Sequence, residues 1–188
     1  MSKPVTFAAR AAVKDRTAEI ERTIEDFRET ILCHHDERVR WLIANTEIRV
    51  NGRLTVTGGR AYHYHRTMEV SGALFKCPIN TLDDLWDTLA HEFAHIVEFD
   101  TVEDKGHLRR RTNAEAHNEA WRAWAIEFGD RDAGKYHDLF IPKDYGRAAE
   151  RAPYVLRWCA AANGQAEVDA RLARVNSWRA LNGLHPLK

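Results

Sequence analysis

His91-Glu92-Phe93-Ala94-His95 is the stretch whose reading decides how the rest of this chain is understood. Side chains four residues apart share one face of a helix. The two His therefore reach into one coordination sphere, with Glu92 standing beside the water that a catalytic zinc activates. Five residues are few enough to recur by chance, so the surrounding segment has to carry the weight. Turning about 100° per residue puts Leu82, Leu85, Trp86, Leu89, Phe93 and Ile96 on a broad apolar arc. Asp84, Asp87, Thr88, His91, His95 and Glu98 form a polar stripe opposite it. Thr81 and Asp84 have the spacing of a capping box, which marks the start. The expectation is a core helix from Leu82 to Phe99 with a chemical stripe.

Upstream, residues 14 to 45 read as helical, with Ile20, Ile24, Phe27 and Ile31 in 4-3-4 spacing and a second amphipathic stretch carrying Val39, Trp41, Leu42 and Ile43. From Thr46 the period changes to two. Glu47-Ile48-Arg49-Val50, Asn51-Gly52 and Arg53-Leu54-Thr55-Val56-Thr57 predict a hairpin closed by a type I′ turn. After Gly58-Gly59, the segments Ala61 to His65 and Met68 to Val70 predict further strands. Downstream, Phe99 to Thr112 reads as a solvated loop. Thr112 and Glu115 predict a capped helix running to Phe128 and stopping at Gly129. Gly134, Pro142, Gly146 and Pro153 mark irregular structure before a last helix from Gln165 to Asn182, with Gly183 as its stop. The fold class expected is α+β, a small antiparallel sheet of about three strands packed against a helix bundle that carries the HExxH helix. Three regions follow: an N-terminal helical scaffold over 1–45, a core over 46–130 and a C-terminal extension over 131–188.

The 188 residues, 44% of them hydrophobic, suffice for one domain with appendages and a substantial core. No apolar run is long enough for a membrane span, and the N-terminus lacks the apolar centre of a secretory signal, so a cytoplasmic protein is expected. Cys33, Cys77 and Cys159 are too few and too scattered for a disulfide framework or a Cys-x-x-Cys metal site. The formal net charge of zero provides no global field toward nucleic acid, so any such contact must be local.

A catalytic zinc has three protein ligands and one open position. Four residues downstream are candidates for the third: His107, Glu115, His117 and Glu119. A metzincin continuation is excluded, because Glu98 and Thr101 stand where Gly and His are needed. On a helix over 113–128, His117, Trp121, Trp124 and Phe128 share a face, while Glu115 and Glu119 project to nearly the opposite side. Faces rich in Trp turn inward, which favours His117. His107 lies on a loop, and helical geometry does not exclude it.

Gly59-Arg60-Ala61-Tyr62-His63-Tyr64, the strand ending Glu69-Val70-Ser71, the helix Thr88 to His95 and His117-Asn118-Glu119-Ala120-Trp121 together resemble a SprT-like (Spartan-type) zinc metalloprotease domain over about residues 46 to 130. The resemblance implies one zinc ion held by His91, His95 and His117, with Glu92 as general base. It also implies a protein or peptide substrate, and a link to proteins associated with or crosslinked to DNA. Tyr154 to Cys159 is similar to the opening of the zinc ribbon that many relatives carry, but the remaining cysteines are missing, so a second zinc is not expected.

The chemistry implied is peptide hydrolysis, in which Glu92 takes a proton from the attacking water and returns it to the leaving amine. Tyr62, Tyr64, Tyr136, His137 and Tyr154 are unranked candidates for an oxyanion partner. His63 and His65 are expected on one face of a strand, and Arg109-Arg110-Arg111 in a solvated loop. Residues 151–188 hold six Lys or Arg against two acids, and Arg171, Arg174 and Trp178 on one flank of the last helix are the candidates for contact with single-stranded or damaged DNA. The alternative function is a non-catalytic module whose zinc is structural and which recruits a protein or DNA partner. Glu92 argues against it, since a structural site closes its fourth position with a protein ligand and needs no base.

Overall fold

A computed structural model describes residues 7–77, 79–101, 116–131, 133, 139, 159, 162, 164–181 and 185–187. Its elements are α1 (Phe7–Leu32), α2 (Glu37–Ala44), β1 (Glu47–Asn51), β2 (Gly59–Tyr62), a 3-10 turn (His63–His65), β3 (Thr67–Ser71), α3 (Gly72–Phe75), α4 (Leu82–Thr101), α5 (Glu119–Glu127) and α6 (Gln165–Leu181). The fold is mixed, several helices around a small sheet.

α4 is the central element, packed against α1, α2, α5, β2 and β3. It starts where the capping box predicts: Asp84 N donates to Thr81 Oγ1 at 3.0 Å, and Thr81 N donates to Asp84 Oδ2 at 2.6 Å. Its arc of Leu85, Leu89, Phe93 and Ile96 enters one core with Ile20, Phe27, Ile31, Leu42, Ile43, Met68 and Val70. Phe27 meets Trp86 and Phe93 edge to face at 5.3 and 6.2 Å between ring centroids. Asp87, Thr88 and Glu98 of the polar stripe are buried, with Glu92 beside them, because α5 and the sheet close over that face. Buried polar groups need partners: Thr88 donates to the Asp84 carbonyl, Asp87 receives Arg131, and Glu98 receives Asn118.

The predicted hairpin does not form. β1 pairs in parallel with β3, Glu47 opposite Thr67 through Asn51 opposite Ser71. β2 pairs antiparallel with β3 on its other side, Gly59 opposite Val70 through Tyr62 opposite Thr67. The sheet order is therefore β1-β3-β2, and the sheet is mixed where an antiparallel one was expected. Asn51-Gly52 does make a turn, in which Asn51 Oδ1 accepts from Arg53 N at 2.9 Å and Asn51 Nδ2 holds Glu69 Oε2 at 2.9 Å. Leu54 then dives inward, its carbonyl accepting from the buried Ser71 hydroxyl, while Val56 stays exposed. In a strand these two residues would share a face; their opposite burial shows that the apolar–polar alternation of 54–57 corresponds to no ladder. The strand expected over Ala61 to His65 also stops early, at Tyr62. His63–His65 form the 3-10 turn, closed by Arg66 in the left-handed region at φ 48°, so His63 and His65 do not share a strand face.

α5 begins later than predicted. Its N-cap is Asn118, whose Oδ1 accepts from Trp121 N at 2.9 Å; Thr112 and Glu115 lie outside the described residues. Its end falls at Gly129 as expected, with φ 95°. Gly129 N donates to Ile126 O and Asp130 N to Ala125 O, the paired bonds of a Schellman cap. α6 rests on a separate small core of Cys77, Ile79, Cys159 and Val175, with Trp178 and Leu187 against it. All three cysteines are free, and burial pushes the Cys77 and Cys159 thiols up from their ordinary pKa. No helix among the described residues is long and apolar enough to cross a membrane.

Candidate metal centre and its cleft

His91 and His95 stand one helical turn apart on α4, ring centroids 5.1 Å from each other. His117 approaches from the chain just before α5, 5.0 Å from the His91 ring and 4.8 Å from the His95 ring. One ring nitrogen from each of the three lies within 4.8 Å of the others. Between His117 Nε2 and His91 Nε2 the distance is 3.1 Å. Three imidazoles converging in this way offer the donor set that suits zinc and leaves a fourth position for water or substrate. The residues present thus fit the metal that the motif implies.

Trp121 is the platform under all three rings. It is wholly buried, stacks on His95 at 5.3 Å, and meets His91 and His117 edge to face at 4.6 and 4.5 Å. Its indole Nε1 donates to the His91 carbonyl at 3.2 Å, tying platform to helix. His117 reaches this place by a route other than the shared helical face argued from sequence, since it precedes the N-cap and is not on α5. Asn118 positions it: one side of its amide caps α5, and Nδ2 donates to the buried Glu98 Oε1 at 2.6 Å. The Glu98–Asn118 pair was not foreseen from the sequence, and Trp121 was named there on an inward face and in the His117 to Trp121 run but not as a platform. Their signal was the run His117-Asn118-Glu119-Ala120-Trp121, which holds an N-cap residue three positions before an aromatic.

A cleft of about 650 Å³ opens over the three His, and Glu92, His63, Thr88, Leu139 and residues 56–62 line it with them. Glu92 is 8% exposed, so its carboxylate sits at the wall of the cleft and largely out of bulk solvent. β2 forms the opposite wall and is an edge strand of the sheet. The strand comes this close because of Gly59, where an added Cβ would lie 2.7 Å from Glu92 Cγ and 2.9 Å from Thr88 Cγ2. Gly58-Gly59, read from sequence only as a break between strands, is the point where backbone and helix touch.

The remaining candidates are dispersed. His107, Arg109 to Arg111, Tyr136, His137 and Tyr154 lie outside the described residues. Glu119 is exposed in the first turn of α5. Tyr62 lines the cleft, half exposed, and its hydroxyl donates to Glu69 at 3.3 Å. Tyr64 packs on Phe99 and His63. Arg171 is buried and holds Glu167 at 2.6 Å, Arg174 lies 3.7 Å from Asp84, and Trp178 packs on the second core. The flank expected to face a phosphate backbone thus carries intramolecular contacts.

A second group with ligand-bearing residues, His34, His35 and Glu127, joins the end of α1 to α5. There Asp36 N donates to His34 Nδ1 at 3.1 Å, which leaves the ring proton on Nε2, directed at Glu127 Oε1 2.8 Å away. Both His34 nitrogens are thereby committed.

The SprT-like family model matches residues 25–137, more than half of the chain, and its span takes in the three His, Glu92 and the end of α1. This chain belongs to the SprT-like family. No curated protein and no solved structure matches it.

Proposed function

We propose that the chain is a zinc-dependent metalloendopeptidase, with His91, His95 and His117 as ligands and Glu92 as general base. The observation that supports it best is the convergence of three His nitrogens within 4.8 Å at the floor of a cleft whose wall is a buried Glu one residue along the same helix. Family membership is consistent with a metalloprotease-type function. When bound, zinc supplies Lewis-acid polarisation and makes water a nucleophile near neutral pH.

The chain's own residues do the rest. Glu92 accepts a proton from the attacking water on a carboxylate oxygen held against Gly59, and delivers it to the amide nitrogen as the peptide bond breaks. The edge of β2 that pairs with no described strand would offer backbone donors and acceptors to an extended peptide laid along the cleft. The proposed substrate is protein or peptide, and action on DNA-associated or DNA-crosslinked protein is its narrower form, supported by the family resemblance alone. Salt-sensitive retention of single-stranded DNA by the full chain supports that narrower form, and no retention at low salt removes it.

The test is Glu92→Gln. Cleavage of an unstructured protein substrate is expected to fall by about 10²- to 10⁴-fold with the bound zinc retained. Undiminished cleavage would overturn the assignment of the base.

A further inference from the structure

We propose that Asp130 is the positioning residue of the metal centre, its buried carboxylate turning the His91 ring so that Nε2 faces the metal. The inference rests on the three-His reading above. The Asp130 side chain is wholly buried, and Oδ2 lies 3.7 Å from His91 Nδ1, the nitrogen on the side of the ring away from His117. A carboxylate there favours the tautomer with its proton on Nδ1 and leaves the Nε2 lone pair for the metal; such partners raise ligand basicity and fix ring orientation.

The local fold delivers Asp130 to this place by two devices. The Schellman cap at Gly129 turns the chain sharply at the end of α5, and Asp130 is the residue that follows. Arg131, next along, clamps the turn to α4 through Asp87, with Nη2 2.6 Å and Nε 3.0 Å from Oδ2. The hydrogen-bonded Asp87 carboxylate holds the Arg131 guanidinium above its ordinary pKa. Asp87 and His91 are one helical turn apart, so the turn sorts its two charges along α4: the cation to the carboxylate, the carboxylate to the imidazole. A sequence of Gly129-Asp130-Arg131 after a helix stop is an ordinary loop signature, which is why it gave no warning.

The test measures zinc affinity of the full chain by chelator competition for the wild type, Asp130→Asn and Asp130→Ala, together with the His91 tautomer by long-range ¹H–¹⁵N NMR in the metal-free wild type. Both variants are expected to bind zinc about 10- to 100-fold more weakly, and His91 to carry its proton on Nδ1. Affinities within about twofold of wild type, or a proton on Nε2, would overturn the proposal. If Asp130→Ala does not fold, the isosteric Asp130→Asn carries the comparison, and if neither folds the wild-type tautomer decides. Wild-type protein that binds no zinc would overturn the three-His reading and this proposal together, a different result from a wild type that binds and variants that bind equally well.

Discussion

Two clusters of His stand at opposite ends of α5, and they are built from nearly the same residue types. At the N-terminal end, His91, His95 and His117 gather over Trp121; at the C-terminal end, the His34 and His35 rings lie tilted, 4.3 Å between centroids, beside Glu127. Proximity alone does not separate them, since both place three ligand atoms within 4.8 Å. The difference lies in what the far side of each imidazole touches. His34 receives a backbone N–H on Nδ1, so its Nε2 must carry the proton and is spent on Glu127. His91 faces a carboxylate on Nδ1, so its Nε2 lone pair is turned toward the other His. Exposure differs too: the His35 side chain is 82% exposed, whereas all three central His are half-buried at the floor of a cleft. A metal centre is defined as much by the groups behind its ligands as by the ligands.

The strongest way to break this contrast is to remove Trp121, which touches all three rings of the first cluster. Trp121→Ala is expected to cost about 3–5 kcal/mol of stability, the usual range for deleting a fully buried Trp, and to loosen all three His together. Denaturant unfolding with and without zinc measures it, and an unchanged midpoint with intact zinc binding would contradict the platform role. A smaller effect, confined to chemistry, is expected from Gly59→Ala. The added methyl pushes on Glu92 and displaces the base, lowering kcat by about ten- to a hundredfold while zinc binding persists. A kcat unchanged in that variant would mean that the contact between β2 and α4 has slack.

The smallest effect belongs to the second cluster. His34→Ala loses the hydrogen bonds to Glu127 and Asp36, about 1 kcal/mol, and leaves peptidase activity and zinc content as they were. Loss of activity there would merge the two clusters functionally and defeat the distinction.

How much of this was legible before the structure depended on whether the signal was local. The α4 helix and its Thr81–Asp84 cap were readable because helical period and capping act over a few residues. Asn51-Gly52 was also a local turn signal, but the partner of β1 was decided by tertiary pairing with β3, which no short pattern encodes. The polar stripe on α4 was legible as a chemical face, but what buries it was not: Asn118 and Arg131, distant in sequence, arrive to satisfy Glu98 and Asp87. For the site, His91 and His95 followed from spacing alone. His117 was reached from a helical face it does not occupy, and its true support, the Glu98–Asn118 bond, joins two polar residues that nothing in the sequence connects. Asp130 escaped notice and Gly59 was noted without its role, because a loop Asp and a second Gly are common and only contact with α4 gives them a task.

The central claim, that zinc is held by His91, His95 and His117 and not by the other cluster, is met most directly by zinc titration of the full chain. The wild type is expected to bind one equivalent, His117→Ala to lose that binding, and the double variant His34→Ala with His35→Ala to keep it. Zinc retained at wild-type affinity in His117→Ala, or lost in the double variant, would contradict the account.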